Sequence, residues 1–192
     1  HLSCYQLTIE PQTAFFSAVK RGEWAPLDGD RQADFIAETR HILQDSGYRN
    51  YEISNFARPG QECRHNLLYW GAGEYLGVGP SAHSHWRGER YGNVRDLAAY
   101  CRKLLGGQSA RSFSERLEPE AKARETLVMA LRRLDGITRD QFRADTGFDL
   151  RALCGETLDW LARQGLLEVT PDVVRLSEEG LFVSDGIFAE LV

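Results

Sequence analysis

Two stretches decide how this chain folds: Leu2-Ser3-Cys4-Tyr5-Gln6-Leu7-Thr8-Ile9-Glu10 near its start and Tyr48-Arg49-Asn50-Tyr51-Glu52-Ile53-Ser54-Asn55 further on. The first sets Cys4, Gln6 and Thr8 on one face against Tyr5, Leu7 and Ile9 on the other, the period of two that marks a strand. Pro11 ends it. Between the two stretches, Asp28 or Asp30 can cap a helix whose apolar residues Phe35, Ile36, Ile42 and Leu43 recur at helical spacing until Gly47 stops it. Strand, helix and strand make a crossover unit, so the two strands are expected to run parallel in an α/β architecture. Parallel sheets place ligand chemistry at the carboxyl ends of their strands, where Glu10, Glu52, Ser54 and Asn55 either line a site or cap the strand ends.

Composition narrows the function classes. The chain has 192 residues, is 42% apolar, and carries 28 acidic against 23 basic side chains. That supports one sizeable core or two modest ones. It leaves no cationic excess to neutralise a phosphate backbone, so no nucleic-acid partner is expected. The four cysteines, Cys4, Cys63, Cys101 and Cys154, are too scattered for a disulfide framework or a paired-cysteine metal motif. They read as reduced thiols of a cytoplasmic protein. No apolar run approaches a transmembrane length. His1 already stands inside the strand pattern, so the chain reads as part of something longer.

Residues 56 to 90 show little periodicity, many glycines, and three of the five histidines among Tyr69, Trp70, Tyr75 and Trp86. A long aromatic loop of this kind is usually functional. Asn93 is expected to cap an amphipathic helix through Val94, Leu97, Ala98, Cys101, Leu104 and Leu105 that stops at Gly106-Gly107, and a linker follows to about Arg116. The chain then turns to helices and a hairpin. One helix carries Leu127, Val128, Leu131 and Leu134, Thr138 starts a second, and a third passes Leu153, Leu158 and Leu161 to Gly165. Leu166 to Val169 and Val173 to Leu176 read as a two-stranded wing, and Ser177 caps a last helix. The reading gives two domains, 1–110 and 111–192, the second a small winged-helix-like α+β module.

The chemistry concentrates at His65-Asn66-Leu67-Leu68-Tyr69-Trp70. A neutral imidazole is a good axial ligand for heme iron, and a neighbour such as Asn66 can orient its second nitrogen. Tyr69 and Trp70 offer flat apolar area to a macrocycle, while Arg64 and Arg58 can answer its propionates. A hydrogen-bonded structural histidine is the competing reading of His65. Cys63-Arg64-His65 and His83-Ser84-His85 admit a zinc site, but they lack the two spaced ligand pairs that make zinc motifs specific. Gly77-Val78-Gly79-Pro80-Ser81-Ala82 has no phosphate-loop lysine and loses an amide donor at Pro80, so it reads as tight backbone passing close to a ligand or to another strand.

Four ordered segments carry a family resemblance: Tyr5 to Pro11, Tyr51-Glu52-Ile53-Ser54-Asn55-Phe56-Ala57, His65 to Trp70, and Tyr75 to Ser84. They resemble successive motifs of the HemW heme chaperones, within the radical-SAM family that includes oxygen-independent coproporphyrinogen III oxidase. The resemblance implies the C-terminal part of a partial (β/α) barrel which, in the intact protein, holds a [4Fe–4S] cluster and S-adenosylmethionine at its carboxyl-end face. It implies heme binding with His65 as iron ligand and Arg64, Asn66, Tyr69 and Trp70 beside it, with Gln6, Thr8 and Ala82 near the S-adenosylmethionine. The implied function is delivery of heme to hemoprotein acceptors, and a homodimer is admitted. The oxidase, an enzyme of porphyrin biosynthesis, is the alternative. It carries Gly-Met-Asp-His-Phe-Ala where this chain has Ile53-Ser54-Asn55-Phe56-Ala57, and the added HNLLYW segment also favours the chaperone. A CxxxCxxC run to hold a cluster is absent, so these residues alone are not expected to perform radical chemistry. A winged-helix DNA binder is a third reading, which Glu156 and Asp159 beside Arg151 and Arg163 on the would-be recognition helix disfavour.

Overall fold

The computed structural model describes residues 1–192, which pack as two compact units, His1–Cys63 and Arg64–Val192. Strands and helices mix as expected, but every ladder is antiparallel and the three sheets have three strands each.

The first unit contains β1 (Leu2–Ser3), α1 (Ala14–Lys20), α2 (Gly29–Asp45), β2 (Arg49–Glu52) and β3 (Asn55–Ala57). Of the long strand expected from Leu2 to Glu10, only Leu2 and Ser3 pair, with Phe56 and Asn55, and Cys4 N–H adds one bond to the Ser54 carbonyl at 2.9 Å. The reason is length: β3 has three residues, so beyond Cys4 the backbone groups find no ladder, and a strand persists only where they are paired. The stretch expected as a single strand over 48–55 instead folds back at Ile53-Ser54 into the β2–β3 hairpin. Side chains close that turn. Asn50 Nδ2 donates to the carbonyls of Glu52 (2.6 Å) and Asn55 (3.0 Å), while the Glu52 carboxylate accepts from Ser54 N–H and from the Asn55 amide. Sheet order is β1-β3-β2, so β1 and β2 do share a direction, but β3 lies between them and they are not the adjacent parallel pair expected. Glu52, Ser54 and Asn55 therefore serve the turn, with Glu52 and Asn55 buried. Asp28 caps α2, its Oδ1 accepting from Arg31 N–H at 2.8 Å, yet neither α1 nor α2 buries a residue, and Phe35 and Ile42 are exposed.

The second unit opens with α3 (Arg64–Trp70), then β4 (His83–Trp86), β5 (Glu89–Asn93), α4 (Leu97–Leu105) and β6 (Arg111–Glu115). The expected aromatic loop is thus partly regular: HNLLYW is helical and His83-Ser84-His85-Trp86 is a strand. Asn93 belongs to β5, and Asp96 caps α4, with Oδ1 accepting from Ala99 N–H at 2.7 Å. The expected linker contributes β6, paired to β5 in the order β4-β5-β6. A Cβ at Gly77 would collide with the His83 carbonyl, which bears out the reading of that glycine as a close backbone approach.

Then follow α5 (Pro119–Leu131), β7 (Ile137–Thr138), α6 (Arg139–Thr146), α7 (Leu150–Arg163), β8 (Leu167–Val169), β9 (Val173–Leu176), α8 (Glu178–Phe182) and α9 (Ser184–Leu191). Thr138 and Ser177 cap α6 and α8 as expected, accepting from Gln141 N–H (3.1 Å) and Gly180 N–H (2.9 Å). The hairpin β8–β9 forms at the residues read as a two-stranded wing, and the short β7 joins it on the free side of β9 to make a three-stranded sheet. The core sits here: Leu127, Leu131, Phe142, Leu158, Val174 and Leu191 are completely buried. Truncating Phe142 to Ala should cost about 3–5 kcal/mol, the lost transfer energy plus the cavity left behind. Urea unfolding should show a lower midpoint with an unchanged denaturant slope, and a shift under 1 kcal/mol would mean that Phe142 is not a core anchor.

Candidate functional site

Helix α3 carries the HNLLYW segment. It has seven residues and buries none, far short of the roughly 12–15 that let an isolated helix persist in water, so its neighbours hold it in place. His65 and Tyr69, four residues apart, share one face and meet edge to face with ring centroids 4.5 Å apart. Tyr69 meets Tyr75 edge to face at 4.4 Å, and Tyr75 lies 6.4 Å from the His85 ring. A row of four rings thus runs from an exposed histidine to a buried one. At the exposed end, His65 touches Tyr69 and neither ring nitrogen is hydrogen-bonded by a protein atom.

The buried end is tightly committed. His85 Nδ1 lies 3.0 Å from the Gly73 carbonyl and must donate to it, and Nε2 lies 3.4 Å from Lys122 Nζ and must accept, which fixes one neutral tautomer. The His85 backbone also exchanges two bonds with Tyr75, at 2.8 and 3.0 Å. Lys122 donates onward to Glu125 at 3.0 Å, and Arg90 donates to the same carboxylate. Burial alone would push the Glu125 carboxyl up, but the hydrogen bonds from Arg90 and Lys122 and their charges together hold it below the ordinary range. Burial pushes the Tyr75 phenol up.

Trp70 looks the other way. Five residues after His65, at 3.6 per turn, it stands about 140° around the helix from that ring. There the Arg132 guanidinium lies over it, 4.7 Å from the ring centroid, and 5.6 Å from the Phe188 ring of α9. No hydrogen bond joins Asn66 to the His65 ring, and successive helical residues diverge around the axis. Arg64 is exposed beside His65 in sequence, while Arg58, in the first unit, lies over Tyr48 at 5.4 Å. A cleft of 320 Å³ opens past the end of α3, lined by Gly71, Ala72, Lys122, Thr126 and Asp145 among others; His65 is not among its walls.

Gln6 and Thr8 are exposed in the first unit, and Ala82 is half-buried in the second, its carbonyl accepting from Asn93 N–H at 2.9 Å. The cysteines are unpaired, and no three of His, Cys, Asp and Glu converge on a point, so the chain's own residues do not fit an iron–sulfur cluster. The sequence reading named Tyr75 only as one of the loop's aromatics and missed Lys122, Glu125 and Arg90; strand alternation did not signal the buried His85, since His83 on the same side is exposed and Ser84 on the other is buried. On the would-be recognition helix α7, Arg151 is tied to Asp159.

A carboxyl held low in the folded state contributes stability that is complete above its unfolded value, about 4.3 for Glu, and is lost as pH falls through the folded value below it. Glu125→Gln should therefore flatten the acid limb of melting temperature against pH relative to wild type. Parallel curves down to pH 3 would show that the Arg90–Glu125–Lys122 cluster contributes nothing.

Comparison with known proteins fits this layout. Residues 117–183 match the HemN C-terminal domain family. The Synechocystis heme chaperone HemW is 39% identical over 72% of this chain and 34% of its own length, and HemW of Escherichia coli is 35% identical over 94% and 46%. A mouse mitochondrial radical S-adenosyl methionine domain-containing protein 1 is 37% identical over the whole chain and 46% of its own length. The chain thus spans half or less of the length of these relatives. Among solved structures, the coproporphyrinogen III oxidase HemN of Escherichia coli superimposes with a TM-score of 0.69 over 86% of this chain and 42% of its own, at 19% identity, a likeness of fold. With four ordered motifs, the matched C-terminal domain and similarity to HemW proteins over most of this chain in hand, the chain belongs to the HemW-like radical-SAM family and corresponds to the C-terminal portion of its members.

Proposed function

We propose that this chain binds heme as cargo through His65 and presents it to hemoprotein acceptors, as a heme chaperone. One observation carries the reading: the His65 imidazole is exposed, backed by the Tyr69 ring, and has no protein partner on either nitrogen. A structural histidine would have its nitrogens engaged, as His85 does. Imidazole nitrogen is a strong donor to heme iron, and exposure suits a cargo that must leave again. Tyr69 supplies a flat edge beside the iron ligand, Arg64 a cation for a propionate, and Asn66 and Trp70 complete the segment, Trp70 from the inner side of the helix. The names of the similar HemW proteins point the same way.

S-adenosylmethionine and the cluster belong, on this reading, to the complete protein, with Gln6, Thr8 and Ala82 near the former. No radical step is assigned to these residues, since no cysteine set here fits a cluster. The barrel-derived part is taken as 1–110 and the C-terminal domain as 111–192. No helix is long and apolar enough to cross a membrane, and we place the protein in the cytoplasm. Exposed Tyr5, Leu7, Phe15 and Phe35 favour self-association as a homodimer, which sedimentation measures.

Hemin titration tests the central claim. Wild type should shift the Soret band to a histidine-ligated form with saturable stoichiometry, and His65→Ala should weaken binding about tenfold or more and lose that spectrum. An identical curve and spectrum for the variant would remove His65 from the site.

A further inference from the structure

We infer that Arg132 is a positioning residue for His65, acting through Trp70. Nothing within α3 fixes its orientation: it is two turns long and buries no side chain. Its outer face offers only the contact between His65 and Tyr69 and the ring row beyond it. Its inner face is held at Trp70, over which lies the guanidinium of Arg132, the residue that ends α5. The same guanidinium reaches the Phe188 ring of α9, so one cation joins three helices.

This contact is made without an ion pair, and Arg139 is the other half-buried arginine whose Nε is buried with no acceptor. The half-buried arginines Arg90 and Arg124 are in ion pairs with Glu125 and Glu120, whereas Arg132 has no carboxylate partner and its Nε is buried without an acceptor. Trp70 Nε1 is likewise buried without one. The attachment is therefore ring to cation, which Trp provides best among aromatic side chains and which strengthens when water is excluded. Because a short helix moves as a rigid rod, a tilt released at Trp70 carries His65 with it, although the two side chains stand on opposite sides. Arg132 then governs how His65 is presented without touching what His65 binds. Trp70, on this account, anchors the segment from within.

The anchoring itself is independent of ligand, while its effect on heme rests on the heme reading, so two measurements are needed. In the ligand-free protein, Arg132→Ala should speed amide hydrogen exchange across Arg64–Trp70 about five- to tenfold and leave β8 and β9 unchanged. Unchanged exchange in α3 overturns the inference. If Arg132→Ala does not fold, Arg132→Lys and Trp70→Phe, which keep a cation and a ring, should give intermediate acceleration confined to α3, and wild-type exchange in both overturns it equally. With hemin, Arg132→Ala should weaken binding about fivefold in the wild-type background and not at all in a His65→Ala background. Additive losses would mean that Arg132 meets the porphyrin directly and would overturn the positioning role. Absence of any His65-dependent binding in wild type would sink the heme reading, and the exchange experiment would still decide the anchor.

Discussion

Helix α5 is the constraint on which the second unit depends, because it is used on two sides at once. Ala123, Leu127 and Leu131 are buried in the core, and truncating side chains of that kind is among the costliest changes a domain can suffer. Lys122 and Glu125, from the same helix, reach the sheet through His85 and Arg90, and Arg132 at its end reaches α3 and α9. Whatever packs α5 therefore also sets where the ring row and the HNLLYW helix stand.

This arrangement divides the site chemically. One histidine spends both nitrogens inside the protein, one on a carbonyl and one on an ammonium, and is lost to coordination. The other keeps both and faces solvent. Two tyrosines lie between them, ring to ring, and Tyr75 is also tied to His85 by a pair of backbone hydrogen bonds. A donor left free at the end of an edge-to-face aromatic row is what the proposed heme-cargo role requires.

Much of this was legible in the sequence where residues speak locally. The helices of the last third, their caps at Thr138 and Ser177 and the hairpin of β8 and β9 follow from periodicity and capping chemistry, and the structure has them. The His65 segment was legible as a candidate site because an imidazole next to aromatics in an otherwise glycine-rich stretch is chemically distinctive. Pairing was not legible. The alternation from Leu2 to Glu10 is a sound strand pattern, but a pattern cannot supply a partner, and β3 is too short to pair more than its first residues. The turn at Ile53-Ser54 is made by Asn50 and Glu52 folding their side chains onto it, a local economy of polar groups that no window of hydrophobicity registers. Nor could the sequence reveal that Trp70 meets Arg132, since the two are remote in the chain and meet only once α5 has packed.

The ladder between β1 and β3 has a kinetic consequence. The hairpins of the second unit join near neighbours in sequence, whereas Leu2 must find Phe56 across nearly the whole first unit, and closing a longer loop costs more chain entropy. With only two residue pairs to repay that cost, this zipper is the last part of the first unit to close and the first to open. The segment bearing Gln6 and Thr8 hangs directly from it, so these two side chains acquire a fixed address only while the weakest seam of the sheet stays shut.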